Sequence, residues 1–108
     1  MAFWQEDGEI DAGIAYQKYD AMTDGELGIS PKSANVTEFY KAILRTYDDL
    51  TIENAEDSPW ASPVHCNEEC VIVAISWSRK NEVADSLRSL ARAHNLLTYD
   101  PQEEEIDR

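Results

Sequence analysis

"VIVAISWSRKNEVADSLRSLARAHNLLTYDPQ", residues 71–102, is the stretch on which the fold turns. Val71 to Trp77 is rich in β-branched residues and apolar on both parities, with Val71, Val73, Ile75 and Trp77 on one and Ile72 and Ala74 on the other. A strand buried on both faces has this pattern, so the run predicts a central strand. Val83, Leu87, Leu90, Ala91 and His94 then recur at helical spacing, with Ser78 or Asn81 available as N-cap and Asn95 near the C-terminal end. Leu96 to Tyr99 begins another strand, and Pro101 stops it. Strand, helix and strand with such short joints predict a βαβ crossover in which the two strands pair in parallel.

Upstream, Val36, Phe39, Tyr40, Ile43, Leu44 and Tyr47 share one helical face, and Asn35 with Glu38 three residues later makes a capping-box-like start. Ala12, Ala15, Tyr16, Tyr19 and Met22 mark a further helix that ends before the Gly25 and Gly28 loop. Phe3 and Trp4 make Met1 to Gln5 a short first strand. The expected order is β, α, α, a loop with a hairpin, β, α, β. It describes an α/β or α+β sandwich with a three- or four-stranded sheet and about three helices. Residues 1–102 form a single compact domain on this reading, and 103–108 a flexible acidic tail.

The chain has 108 residues, of which 22 are Asp or Glu and 9 are Lys or Arg, a formal net charge of −13. Such a field disfavours nucleic acid and anionic membranes and speeds encounter with a basic protein. No run reaches the roughly 18 apolar residues of a membrane span, and "MAFWQEDGE" lacks the form of a secretory signal, so a cytoplasmic location is expected. The acids fall in groups: Glu6, Asp7, Glu9 and Asp11; Asp48, Asp49, Glu53, Glu56 and Asp57; and Glu103, Glu104, Glu105 and Asp107.

Signals for chemistry are sparse. In "HCNEEC", 65–70, a three-residue hairpin loop would set Cys66 and Cys70 opposite each other within disulfide range, although a reducing cytoplasm favours free thiols. His65 and Cys66 are sequence neighbours that point to opposite faces of a strand, and no second pair completes a metal set. Nothing in the sequence brings His94 near a thiol. The glycines make no phosphate loop. Arg79, Lys80, Arg88 and Arg92 are the only basic concentration, explained by a solvated helix surface. The expectation is no catalytic residue, no cofactor and no metal.

Trp60, in "ENAEDSPWASP" (53–63), follows three acids and lies between two prolines. Either it plugs the core beneath a stiff loop, or it is an exposed interface anchor steered by the acids around it. The candidate partner-binding set is Asp48, Asp49, Glu53, Glu56, Asp57 and Trp60, with the carboxylates carrying the binding even where the indole is core.

"DSPW" (57–60), "ISWS" (75–78) and "NEVADSLRSLARAHNLLTYDPQ" (81–102) resemble a group of small bacterial proteins with a DSPW loop, a strand ending in Trp and a helix leading to YDPQ. The resemblance spans the second half of the chain and, more loosely, the helix ending "TYDDL". It brings no catalytic residue with it. By size and acidity the chain is also similar, as a class, to immunity proteins of bacterial toxin systems, which bind one toxin and block it. The expectation is a non-enzymatic immunity or antitoxin protein that binds a basic partner one to one, such as the nuclease domain of a contact-delivered toxin. A nucleic-acid mimic of the anti-restriction or anti-CRISPR type is the alternative, and it needs a long, even track of carboxylates; an enzyme with an unrecognised site ranks third.

Overall fold

The middle of the sheet belongs to β1 (Ala2–Trp4), whose three residues are all buried. A computed structural model describes residues 1–108. After β1 come α1 (Ala12–Thr23), α2 (Ala34–Thr46), β2 (His65–Cys66), β3 (Cys70–Ile72), α3 (Lys80–Ala93), β4 (Leu97–Asp100) and β5 (Glu105–Asp107). A 3₁₀ turn, Trp77–Arg79, leads into α3. The five strands lie in the order β2-β3-β1-β4-β5, with every neighbouring pair antiparallel. The architecture is α+β, with one more strand than the sequence reading allowed.

Alternation in the strands sends side chains to two separate cores. Phe3 and Val71 face α2 and α3 and pack with Val36, Phe39, Ile43, Val83, Leu87 and Ala91. The Phe3 and Phe39 ring centroids are 4.7 Å apart. Ala2, Trp4, Cys70, Leu97 and Tyr99 face α1 and pack with Ala15 and Met22. Helices on both faces explain why β1 and β3 read as continuous apolar runs and why all four residues of β4 are buried.

Three expectations require correction. First, β3 and β4 do not pair: both run antiparallel to β1, so they point the same way with β1 between them. The two-sided apolar pattern that nominated Val71–Trp77 for the middle is equally present in "AFW", and β1 takes that place. Secondly, the 71–77 run is not one strand. After Val73, whose amide donates to the Met1 carbonyl at 2.9 Å, the ladder moves to residues 59–61: Ala61 N donates to Ala74 O (2.7 Å) and Ser76 N to Pro59 O (2.6 Å). Trp60 and Ile75 form an isolated bridge there. Thirdly, 103–108 is not a free tail, because Glu105–Asp107 forms the edge strand β5 along β4. Its charge is offset by Arg92, whose Nε donates to Asp107 Oδ1 at 2.7 Å, and Ile106 packs on the α1 face.

The helix starts show what local chemistry decided. Asp11 caps α1 by accepting from Ile14 N at 2.8 Å. Ser33, ahead of the expected Asn35, caps α2 by accepting from Asn35 N at 3.1 Å. α3 has no side-chain cap; neither Ser78 nor Asn81 serves, because the 3₁₀ turn runs directly into the helix. No helix is long and apolar enough to cross a membrane.

Candidate partner-binding surface

The connection from α2 to β2 carries the acids Asp48, Asp49, Glu53, Glu56 and Asp57. Hydrogen bonds within this loop give it a fixed shape. Thr51 N donates to Asn54 Oδ1 (2.8 Å), Asn54 N to Thr51 Oγ1 (3.2 Å) and Asn54 Nδ2 to Asp49 O (2.8 Å). Asp57 N and Ser58 N both donate to Asn54 O, at 3.0 and 2.8 Å. Asn54 is thus the hub, and the turn it organises holds Ile52 out at 96% exposure.

Trp60 does not belong to this surface. It is 3% exposed, its Nε1 donates to Asp48 O at 3.0 Å, and Tyr47 meets its ring edge-on at 5.8 Å between centroids. The indole closes the α2–α3 core with its polar atom satisfied, as a buried tryptophan requires. Asp49 is half-buried and structural in geometry, because its Oδ1 accepts from both Leu50 N (2.8 Å) and Val64 N (2.9 Å). Asp48, Glu53, Glu56 and Asp57 are exposed.

Every ion pair in the molecule uses other acids: Glu6, Glu38, Glu68, Glu82, Asp85, Asp100 and Asp107. The basic concentration on the 3₁₀ turn and α3 is consumed this way, with Arg79 on Glu82, Arg88 on Asp85 and Asp100, Lys80 on Asp100 and Arg92 on Asp107. The carboxylates of the 48–57 loop therefore carry uncompensated charge.

Trp77 is a member of the surface that sequence reasoning missed. Placed in a buried strand by its spacing, it is 79% exposed on the 3₁₀ turn. The ladder between 59–61 and 74–76 ties that turn to the end of the acidic loop, and Arg79 Nη1 donates to Asp57 O at 3.2 Å. Proline and acid content around Trp60 gave no sign of this arrangement. The Ser-rich "SWSRKN" run, where the apolar alternation ends, was the available signal.

Two other clusters are structural. Glu69 is buried, and its carboxylate accepts from Gly28 N (2.9 and 3.0 Å) and Ile29 N (3.1 Å), with Ser30 N at 3.5 Å. Gly28 has a φ of +79°, a conformation that turns its amide towards the acid and suits glycine. The Gly28 hydrogen bond foremost, with those from Ser30 and Ile29, holds the Glu69 carboxyl below its usual range against the opposing effect of burial. Asp100 is buried beneath a cleft of about 190 Å³ lined by Met1, Tyr19, Val73 and Lys80 among others. Its oxygens are taken by Arg88 Nη2 (3.1 Å), Lys80 Nζ (3.6 Å) and Gln102 N (3.0 Å).

The thiols lie on opposite faces of the sheet. Cys66 pairs in register with Val71 and packs on the α2–α3 side, whereas Cys70 packs on the α1 side. The hairpin loop is one residue longer than the disulfide reading needs, and both thiols are free. Burial pushes the Cys70 thiol up to about 11, with the Glu69 charge adding to it, and burial also raises Cys66. Neither has the lowered pKa of a nucleophile. No three His, Cys, Asp or Glu side chains gather to hold a metal ion. No protein family, curated protein or solved structure matches the chain.

Proposed function

We propose that the chain is a non-enzymatic, cytoplasmic binding protein that docks through the 48–57 loop and Trp77 onto a basic protein, as an immunity protein docks onto the catalytic domain of a toxin. The observation that supports this most is the pairing of unneutralised Asp48, Glu53, Glu56 and Asp57 with two presented apolar side chains, Ile52 and Trp77. Isolated exposed apolar residues are ordinary, but an aromatic and an aliphatic anchor beside fixed like charges have the composition of a binding surface. The hydrogen bonds around Asn54 reduce the ordering cost on association. The acids draw a cationic partner in, and the indole and Ile52 fill its pockets.

The test is to express the product of the neighbouring gene and, where it is a basic protein, to measure its binding kinetics. Changing Glu53, Glu56 and Asp57 together to Lys is expected to slow association by about tenfold or more at low salt, with little effect on dissociation. Trp77→Ala is expected to speed dissociation, weakening binding by about 2–4 kcal/mol. A complex in which Asp48, Glu53, Glu56, Asp57 and Trp77 all remain in solvent contradicts the proposal.

A further inference from the structure

We propose that the α1–α2 connection, residues 24–33, is a strap latched by Glu69 that opens as a unit ahead of the rest of the fold and so gates access to the Cys70 thiol. The strap lies on the α1 side of the sheet, whereas the acidic loop packs on the α2–α3 core, so the inference does not rest on the toxin reading.

The strap has little apolar hold. Residues 24–28 are exposed, Ser30 is its one buried member, and Ile29 is its one half-buried hydrophobic side chain. Its backbone is equally short of partners. Glu26 N closes the end of α1 on Ala21 O at 3.1 Å and Ser33 N donates to Glu68 O at 3.0 Å, but none of residues 27–32 makes a backbone–backbone hydrogen bond. The amides of Gly28, Ile29 and Ser30 turn instead to the Glu69 carboxylate, and Ser30 Oγ donates to Glu69 O at 3.0 Å. One residue of the β2–β3 hairpin thus holds the middle of the strap. A segment with few buried apolar contacts belongs to the low end of a protein's local stabilities, and bonds that share one charged acceptor are lost together. Gly25 and Gly28, with φ of +83° and +79°, bracket the exposed tip that carries Leu27 and let it swing without strain.

What the strap covers is a thiol. α1 packs chiefly on β4 and β5, whereas Cys70 lies on β3, beyond β1, and faces the same core. Ile29 packs on that core, and the carboxylate that the strap grips belongs to the residue beside Cys70. The 24–33 segment therefore roofs the part of this face that α1 does not cover. Closed, it keeps the thiol buried and protonated, with burial first and the Glu69 charge next pushing its pKa up to about 11. Open, it returns the thiol to water and to the ordinary range of about 8.5, where part of it ionises in mildly alkaline solution.

The experiment is alkylation of the whole protein by iodoacetamide in mildly alkaline buffer, at a series of urea concentrations below the unfolding transition. Tandem mass spectrometry separates label at Cys70 from label at Cys66, and amide hydrogen exchange is followed under the same conditions. Cys70 labelling and exchange at Gly28, Ile29 and Ser30 should share one opening equilibrium that changes little with urea, because freeing the strap exposes little surface. Exchange at Leu87 and Ala91, inside α3, should be slower and should accelerate steeply with urea. Glu69→Gln should speed Cys70 labelling about tenfold or more, through loss of the charged acceptor. Glu68→Gln, which alters only the exposed pair with Lys32, should leave it unchanged. The urea dependence of the native protein decides the question even where Glu69→Gln does not fold. Cys70 labelling that climbs with urea on the slope of Leu87 exchange, or a rate equal in Glu69→Gln and the native protein, would overturn the proposal.

Discussion

Trp60 lies within, and Trp77 just beyond, one short antiparallel contact, the 59–61 segment against 74–76, and the two have opposite fates. Trp60, among acids and prolines, is a core residue with its Nε1 bonded to Asp48 O. Trp77, at the end of a β-branched run, stands in solvent with Lys80 Nζ 6.0 Å from its ring centroid. The character of flanking residues therefore does not decide which way a tryptophan points. What decides it is where the backbone finds hydrogen bonds. The ladder at 59–61 fixes Trp60 inward, and the 3₁₀ turn that ends the same ladder rotates Trp77 out.

The comparison breaks most easily at Trp60. Trp60→Ala is expected to cost about 3–5 kcal/mol in chemical denaturation, the range for emptying a large aromatic site. A loss below about 1 kcal/mol would mean that the indole is not part of the core. Leu87→Ala, on the α3 face of the same core, should cost about 2–5 kcal/mol and supplies the internal calibration. Trp77→Ala should lie within about 0.5 kcal/mol of the native protein, since an exposed side chain leaves no cavity.

Glu69 sharpens the contrast between committed and uncommitted acids. Glu69→Gln should cost about 1–3 kcal/mol at neutral pH, because amide hydrogen bonds from the Gly28–Ser30 loop lose their charged acceptor. The Glu69 pKa is lowered on folding, so the unfolded chain binds the proton more readily. Its contribution is therefore complete above the ordinary carboxylate pKa, about 4.3, and is lost as pH falls through the lower folded value. Urea midpoints of the native protein and Glu69→Gln should converge across that window. Glu53→Gln, by contrast, should leave stability at neutral pH within about 0.5 kcal/mol of the native protein.

Much of the fold was legible because burial leaves a period in the sequence. α2 and α3 followed their apolar stripes and "AFW" announced β1, whereas α1 formed where expected but buries only Ala15 and Met22 of its stripe, with Ala12 and Tyr16 exposed. The sheet order was not legible, since two-sided apolar runs at β1 and β3 compete equally for the middle and only long-range pairing ranks them. β5 was hidden by its charge, because Asp107 reads as solvated until Arg92 is placed against it. At the candidate site, the acids of 48–57 stood out from composition alone. Ile52 and Trp77 did not, since an exposed apolar side chain and a buried one are the same letter.

The central claim is that the loop acids and Trp77 form one surface while Trp60 lies beneath it. Tryptophan fluorescence quenching by caesium and by iodide, at a fixed ionic strength of about 0.1 M, tests it without any partner. Comparison with Trp77→Phe should show that nearly all quenchable emission comes from Trp77. Replacing Glu53, Glu56 and Asp57 by Lys should lower the caesium-to-iodide quenching ratio, because charges within a Debye length of about 10 Å set the local ion concentrations. Strong quenching that survives Trp77→Phe, or a ratio indifferent to the three lysines, would contradict the account.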